Sequence, residues 1–430
     1  MLNFLRNLIP DRHPIRLFYH LVMAVLAAIL YGFPAKKMIV VGVTGTNGKT
    51  TTVNLIADVL VNAGKKVGMT STVNFRVGDK KWVNTMKQST LGPFKLNKLL
   101  SDMVKAGCEY VVLEVTSHAI TQHRIFGINF NVAVMTNITS DHLEYHGGFS
   151  NYVNTKGLLF KKIVQAPKKG VKGTIILNSD DQYYDFYSQY NADVKMSYGL
   201  IRRSEVYVSD IKLSPTHTDF ILHISNSSVP VRLAMPGRYN VYNALAVSCA
   251  GLALGFSLAE IADGLKKCDA VPGRYDPVYA GQKFNVVVDY AHAPEALDSL
   301  LKFYKDTVTG KVFLVFGATG GGRDKAKRPD MGAIADKYAD YIVVTNDDPY
   351  MEDQVEIINQ ISQGINRTEG DNFWKIIDRR VAIELAISMA REGDCVIVAG
   401  KGAEEVIVIG DKKIPWNDKK VIKDILSRMV

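Results

Sequence analysis

Residues 38–60 run MIVVGVTGTNGKTTTVNLIADVL, and their order decides the fold. The first six form an unbroken apolar run, as a parallel strand covered on both faces requires. A glycine loop follows, and then Val53, Leu55, Ile56, Val59 and Leu60 recur with helical spacing. Strand, glycine loop and helix are the first unit of a doubly wound α/β domain. Gly45 and Gly48 let backbone N–H groups close on phosphate oxygens, and the helix N-terminus adds a favourable field. Thr46, Asn47 and Thr51 complete the loop. Lys49 is placed to neutralise β/γ-phosphate charge, and the Thr50 hydroxyl to ligate Mg²⁺. The strict P-loop pattern demands glycine at position 43, where this chain has Val43. The loop is therefore a shortened variant.

Outward from this unit, buried strands are expected at 110–115, 132–136 and 173–177, each beside a helical stretch. Residues 205–233 alternate like an antiparallel patch, and 241–254 read as a helix. After Pro272-Gly273-Arg274 a second α/β series begins, with apolar strands at 285–288, 312–316, 341–345 and 395–399. The expected architecture is a P-loop-type central domain at 38–275 and a smaller Rossmann-like domain at 276–430, preceded by an apolar segment at 1–37. In that segment, residues 17–33 (LFYHLVMAVLAAILYGF) lie between Arg12 and Arg16 on one side and Lys36 and Lys37 on the other. As a helix they span about 25 Å, short of a hydrocarbon core of about 30 Å. No small-residue cleavage site follows, which argues against a signal peptide. A docking helix, an interfacial anchor over 15–33 and a true span remain open.

A chain of 430 residues suffices for two or three domains, and a formal charge of +9 suits anionic partners. No nucleic-acid motif is present, so nucleic acid is not the expected partner. Four scattered cysteines argue against a zinc site or a disulfide scaffold and fit a reducing cytoplasm.

Two further segments follow apolar strands, where α/β ligand sites lie. Residues 113–124 (LEVTSHAITQHR) put Glu114 within reach of a phosphate-bound cation. Residues 136–148 (TNITSDHLEYHGG) gather Asp141, His142, Glu144 and His146. A zinc hydrolase competes for that cluster, but the HExxH spacing is missing.

These segments, with GRYNVYNALA (237–246), VPGRYDP (271–277), VDYAHAPEAL (288–297), GGGRDKAKRPDMG (320–332) and AGKGAEE (399–405), stand in the order found in Mur ligases. The chain resembles that family over residues 38–425, most of all the branch adding the third residue of the peptidoglycan stem peptide. The resemblance implies ATP-dependent amide formation through an acyl phosphate, with a muramoyl-peptide precursor and a free amino acid as substrates, in the cytoplasm. It implies that Lys49, His142 and Lys156 are catalytic, and that Thr50, Glu114, His142 and a carbamylated Lys156 hold Mg²⁺. Without the resemblance, Lys156 would read as an exposed helix lysine. Asn240, Asn243, Arg274, Asp289 and His292 match nucleotide positions. Thr116, Ser117, Gln122 and Arg124 match precursor contacts, and Arg323, Asp348, Gly400 and Glu404 match amino-acid contacts. A site divided between two domains implies closure on binding, which excludes water from the acyl phosphate.

Three departures stand out. Typical members begin with a domain that grips the UDP moiety, where this sequence has only the apolar segment. Diaminopimelate-selecting members read Asp-Asn-Pro-Arg where this chain has Asp347-Asp348-Pro349-Tyr350, and Gly-Lys-Gly-His-Glu becomes Gly400-Lys401-Gly402-Ala403-Glu404. With the arginine gone, Asp347, Asp348 and Glu404 are expected to favour a cationic amino acid such as lysine over meso-diaminopimelate. A folylpolyglutamate-type ligase, a ligase on a lipid-linked acceptor and a silent membrane-associated nucleotide-binding scaffold are the competing readings. A scaffold has no need of Lys49, Glu114, His142 and Lys156 together.

Overall fold

Strands and helices alternate along much of the chain, and the central strands are buried along their whole length. The computed structural model describes residues 12–86, 88–139, 143–163, 169–322 and 325–429, with the backbone alone for Leu143 and Glu144. Asp141, His142 and Arg323 lie outside the described residues.

Pro14, whose fixed φ and missing N–H suit a first helical position, opens helix α1 (Pro14–Leu30) under the His13 cap. Then come β1 (Ile39–Thr44), α2 (Lys49–Asn62) and a meander of β2 (Val67–Thr70), β3 (Asn74–Val77) and β4 (Lys80–Val83). The chain continues through α3 (Pro93–Lys105), β5 (Tyr110–Glu114), α4 (Ser117–Thr121), β6 (Val132–Met135), α5 (Leu143–His146) and α6 (Phe149–Gly157). β7 (Thr174–Asn178), α7 (Tyr184–Ser188) and β8 (Val194–Tyr198) follow, and the alternating stretch forms β9 (Val206–Leu213), β10 (Thr218–Ile224) and β11 (Ser227–Leu233). Helices α8 (Arg238–Ala253) and α9 (Leu258–Lys266) complete this region.

These strands make one eleven-stranded sheet in the order β11-β10-β9-β8-β7-β6-β1-β5-β2-β3-β4. β1 lies between β5 and β6 and is parallel to both. The chain winds first to one side of β1 and then to the other, so the loops after β1, β5 and β6 meet at one sheet end. That is where open α/β sheets bind ligands.

The later series contains β12 (Asp276–Pro277), β13 (Asn285–Asp289), α10 (Pro294–Thr307), β14 (Val312–Phe316), α11 (Lys327–Tyr338), β15 (Tyr341–Thr345) and α12 (Gln354–Ser362). It ends with β16 (Phe373–Ile376), α13 (Arg379–Met389), β17 (Cys395–Ala399), the hairpin β18 (Val406–Ile409) and β19 (Lys412–Pro415), and α14 (Asp418–Ser427). Its sheet runs β12-β13-β17-β14-β15-β16, parallel except at β12. Successive side chains point to opposite faces, so each strand feeds two cores. Val287, Leu314 and Ile397 pack with Leu297 and Met331, whereas Val286, Val315 and Val396 pack with Ile383 and Ile422.

The molecule divides into two compact units. One is Met1–Lys212 with Thr218–Leu233 and Arg238–Cys268, and the other is Asp269–Val430 with Leu213–His217 and Ala234–Gly237. All four cysteines are buried and free. Among the described residues, no helix is long and apolar enough to cross a membrane.

Candidate active site

In the first unit the phosphate loop links the buried strand β1 to α2. Gly45 and Gly48 have φ of +142° and +81°. A Cβ on Gly45 would lie 1.9 Å from the Thr136 hydroxyl, and one on Gly48 would lie 2.5 Å from the Asn243 side-chain oxygen. Both glycines are therefore required by conformation and by space. Lys49 Nζ curls back over the loop and donates to the carbonyls of Gly45 (2.9 Å) and Thr46 (2.8 Å). The loop is held from β6 by a reciprocal pair. Asn47 N–H donates to Asn137 Oδ1 at 2.9 Å, and Asn137 Nδ2 donates back to the Asn47 carbonyl at 3.1 Å. Thr46 Oγ1 lies 3.0 Å from the Tyr152 hydroxyl.

Glu114, at the end of β5, is 1% exposed. It accepts from Thr50 Oγ1 at 3.0 Å, from Thr72 N–H at 2.8 Å and from Thr72 Oγ1 at 2.8 Å. Neutral donors thus hold the carboxylate beside the loop's threonine. Lys156, on α6, is also buried at 1% exposure, so the reading of an exposed helix lysine is corrected. Its Nζ donates to the Gly45 carbonyl at 2.6 Å and sits 4.7 Å from the centre of the Tyr152 ring. Asn240 and Asn243 lie on α8, whose packing partner is α2. Asn243 accepts from Thr52 Oγ1 at 3.2 Å and donates to Asn240 Oδ1 at 3.1 Å.

The residues matched to precursor contacts form a second group after β5. Thr116 caps α4, and Ser117 Oγ is 2.9 Å from Nε2 of the buried His146. Gln122 accepts from Arg124 Nε at 3.0 Å and donates to the Tyr145 hydroxyl at 3.2 Å, while Arg124 also donates to the Thr90 carbonyl. Burial lowers the Arg124 pKa from its ordinary value.

In the second unit, Asp289 and His292, Asp348, and Gly400 and Glu404 lie at or just after the C-terminal ends of the parallel strands β13, β15 and β17, whereas Arg274 precedes the antiparallel β12. Asp289 ends β13 and accepts the Tyr275 and Ala291 N–H groups at 2.7 and 2.8 Å. Burial raises its pKa, with the Arg274 cation opposing. Arg274 lies over the Tyr290 ring at 4.6 Å, and its Nε is buried without a hydrogen-bond partner. His292 Nδ1 is 2.8 Å from the Tyr290 carbonyl, and burial pulls its pKa down to about 4, with Lys327 and Arg274 acting in the same direction.

The acid cluster departs from expectation. Asp347, Asp348 and Glu404 do not face an incoming amine alone, because Lys401, itself fully buried, already lies among them. Its Nζ is 3.4 Å from Asp347, 2.8 Å from Asp348 and 2.7 Å from Glu404. Burial by itself lowers the Lys401 pKa, but the three acids outweigh it and raise the value above the ordinary lysine range. Asp348 also accepts the Val408 N–H at 2.8 Å, so it fastens the loop to β18. Asp347 Oδ2 has no hydrogen-bond partner and lies where a Cβ on Gly400 would sit, 2.5 Å away. Nearby, Arg379 and Asp418 form a buried two-point ion pair at 2.8 and 2.7 Å, and Arg379 also donates to the Asn346 and Ala399 carbonyls. One cation thereby ties the ends of β15 and β17 together.

Sequence reasoning missed Thr72, Asn137, Tyr152, Lys401 and Arg379. Asn137 alone carried a usable signal, since it follows a predicted strand end directly.

A glycine loop at the switch of a parallel sheet, with a carboxylate and two lysines around it, defines a phosphate-binding α/β protein of the P-loop type. The chain belongs to the Mur ligase family and is a ligase: the Mur ligase middle domain matches residues 43–251, and the Mur ligase glutamate ligase domain matches residues 273–402. It is 40% identical over 403 residues to the UDP-N-acetylmuramoyl-L-alanyl-D-glutamate–2,6-diaminopimelate ligase of Geobacillus thermodenitrificans, covering 93% of this chain and 81% of that protein. It is 36% identical over 420 residues to the UDP-N-acetylmuramyl-tripeptide synthetase of a Roseiflexus species, covering 95% and 82%. A solved UDP-N-acetylmuramoyl-L-alanyl-D-glutamate–2,6-diaminopimelate ligase superposes with a TM-score of 0.66 at 31% identity, over 91% of this chain and 79% of that one.

Proposed function

We propose that this ligase uses ATP to activate the carboxylate of a muramoyl-peptide precursor and joins it to an amino acid. The observation that supports this reading most is the convergence at the end of β1. Lys49 and Lys156 both donate to the Gly45 carbonyl, and Thr50 and Glu114 lie 3.0 Å apart beside the same loop.

A carboxylate oxygen of the acceptor attacks the γ-phosphorus, and ADP leaves. The amine nitrogen then attacks the acyl carbon, loses a proton, and displaces phosphate carrying the acceptor's oxygen. Both first reactants are anions, so opposing charge at the loop decides the rate of the first step. Lys49 and the loop N–H groups bind the phosphates. Arg274 in the second unit, with an unbonded Nε, offers a further cation, while Asp289 and His292 shape the nucleotide wall. Asn240 and Asn243 support the loop from α8. Thr116, Ser117, Gln122 and Arg124 orient the precursor, and Arg323, Gly400 and Glu404 the amino acid. Asp348 contributes by fastening its loop.

The residues fit a magnesium ion, which takes one or two carboxylates plus phosphate oxygens and waters. Thr50 and Glu114 would hold it, with His142 and a carbamylated Lys156. Bound there, the ion supplies positive charge to the transferring phosphoryl group. A buried ammonium at Lys156 repels a cation, whereas its carbamate is an anion; that contrast supports the modification. We read residues 38–275 as the ATP domain, 276–430 as the amino-acid domain and 1–37 as an appended segment, and place the reaction in the cytoplasm.

The test is ligation with ATP, a UDP-linked muramoyl dipeptide and a panel of amino acids, followed by mass spectrometry. ATP turnover without any acceptor-plus-amino-acid product would overturn the proposal.

A further inference from the structure

Helix α1 has two faces of opposite character. Ala24, Ala27 and Ala28 are buried at 1%, 0% and 1% exposure, and the helix packs on α3. Ile15, Phe18, Tyr19, Val22, Leu26, Ile29 and Leu30 are exposed, at 65%, 68%, 51%, 38%, 51%, 60% and 69%. At about 100° per residue, these seven fall within an arc of about 120°, and the alanines occupy the opposite side. Small residues dock the helix while the bulky apolar ones point away from the protein. A contiguous outward stripe of this kind marks an interaction surface.

The charges around the stripe identify the partner. From Arg12 to Ala57 the sequence contains no aspartate or glutamate. Lys36 and Lys37 are exposed directly after the helix, and Lys169 donates to the Lys37 carbonyl, which brings a third exposed lysine to that end. α3 adds exposed Lys95, Lys98 and Lys105 against one acid, Asp102. The Phe33 ring and the Ala28 methyl lie against Gly127, and Lys36 Nζ sits 4.6 Å from the centre of the Phe33 ring, so the helix end is fastened. An apolar stripe with exposed lysines at its C-terminal end matches the boundary between acyl chains and anionic headgroups, while a helix of 17 residues lies along that boundary rather than across it.

We propose that the outward face of α1 rests on an anionic lipid surface and holds the ligase at a membrane face. The inference is independent of which substrates the ligase joins. The full chain is floated with vesicles of phosphatidylcholine containing phosphatidylglycerol, and with phosphatidylcholine alone. The protein is expected to float with the anionic vesicles and to be released by salt. The double substitution Phe18→Glu, Leu26→Glu is expected to lower the bound fraction at least about tenfold, because the affinity of an interfacial helix scales with its buried apolar area. Both positions are exposed, so an unchanged circular-dichroism spectrum and unchanged ATP turnover are expected. Lys36→Glu, Lys37→Glu is expected to weaken binding most at low salt. Three results overturn the proposal: a full chain that stays unbound, equal binding to neutral vesicles, or undiminished binding by Phe18→Glu, Leu26→Glu. A fourth is a dimer in light scattering that this double substitution dissolves without any vesicle binding, which makes the face a contact between copies.

Discussion

The buried side-chain nitrogen of Lys156 donates to the carbonyl of Gly45 at 2.6 Å, across 111 residues of sequence. This contact ties α6 to the phosphate loop and puts a second lysine beside Lys49.

Lys49→Ala is expected to lower ligation at least about a hundredfold, the usual cost of removing a charge-stabilising group. Steady-state turnover at saturating ATP, together with a circular-dichroism spectrum to exclude unfolding, is the measurement. Near-normal turnover would mean that the loop does not carry the chemistry.

Lys156→Ala is expected to be inactive and to regain partial activity with formate or acetate, which replaces the carbamate's oxygens. Independently of activity, ¹³C-labelled bicarbonate should give a carbamate resonance in the parent protein and none in the variant. An identical spectrum for both proteins removes the modification from the mechanism.

Much of the fold was legible because parallel strands buried on both faces read as unbroken apolar runs, as at residues 38–43, 312–316 and 395–399. The meander β2–β4 was not legible, since its four-residue strands, such as Asn74–Val77 and Lys80–Val83, are too short and mixed to show a period. The phosphate loop could be read locally. Its support from Lys156 could not, because α6 reaches the loop only through the neighbours that β1 acquires in the sheet. Lys401 escaped for a related reason. Its sequence neighbours gave no sign that the loops after β15 and β17 would meet across the end of β14.

Glu352 orders the loop at Gly322. It accepts the Gly322 N–H at 3.0 Å and Arg328 NH1 at 3.0 Å, with Lys325 at 3.3 Å, and these partners hold its pKa at about 2. The folded-state value is depressed below the ordinary 4.5. Its contribution is therefore present above about pH 4.5 and is lost as pH falls towards about 2. Glu352→Gln is expected to cost on the order of 2 kcal/mol near neutral pH, as for a hydrogen bond to a charged group. Urea midpoints of parent and variant should converge as the pH is lowered through that window. A constant gap down to the acid limit would contradict the assignment.

Amino-acid choice turns on Tyr350, whose ring lies over Gly321 where related enzymes are expected to carry an arginine. Lys401 neutralises one of the three acids' charges, so Asp347, Asp348 and Glu404 retain a negative balance. In competition at equal concentration, lysine is expected to be incorporated ahead of ornithine, alanine and meso-diaminopimelate, with product masses as the readout. Preferential incorporation of meso-diaminopimelate would show that another cation receives the distal carboxylate.

The central claim is that the acceptor's carboxylate is phosphorylated before the amide forms. The most direct measurement uses a muramoyl-peptide acceptor labelled with ¹⁸O in that carboxylate, followed by mass analysis of the phosphate released. The account predicts one ¹⁸O atom transferred to phosphate for every amide made. Phosphate free of label, with amide still formed, would contradict it.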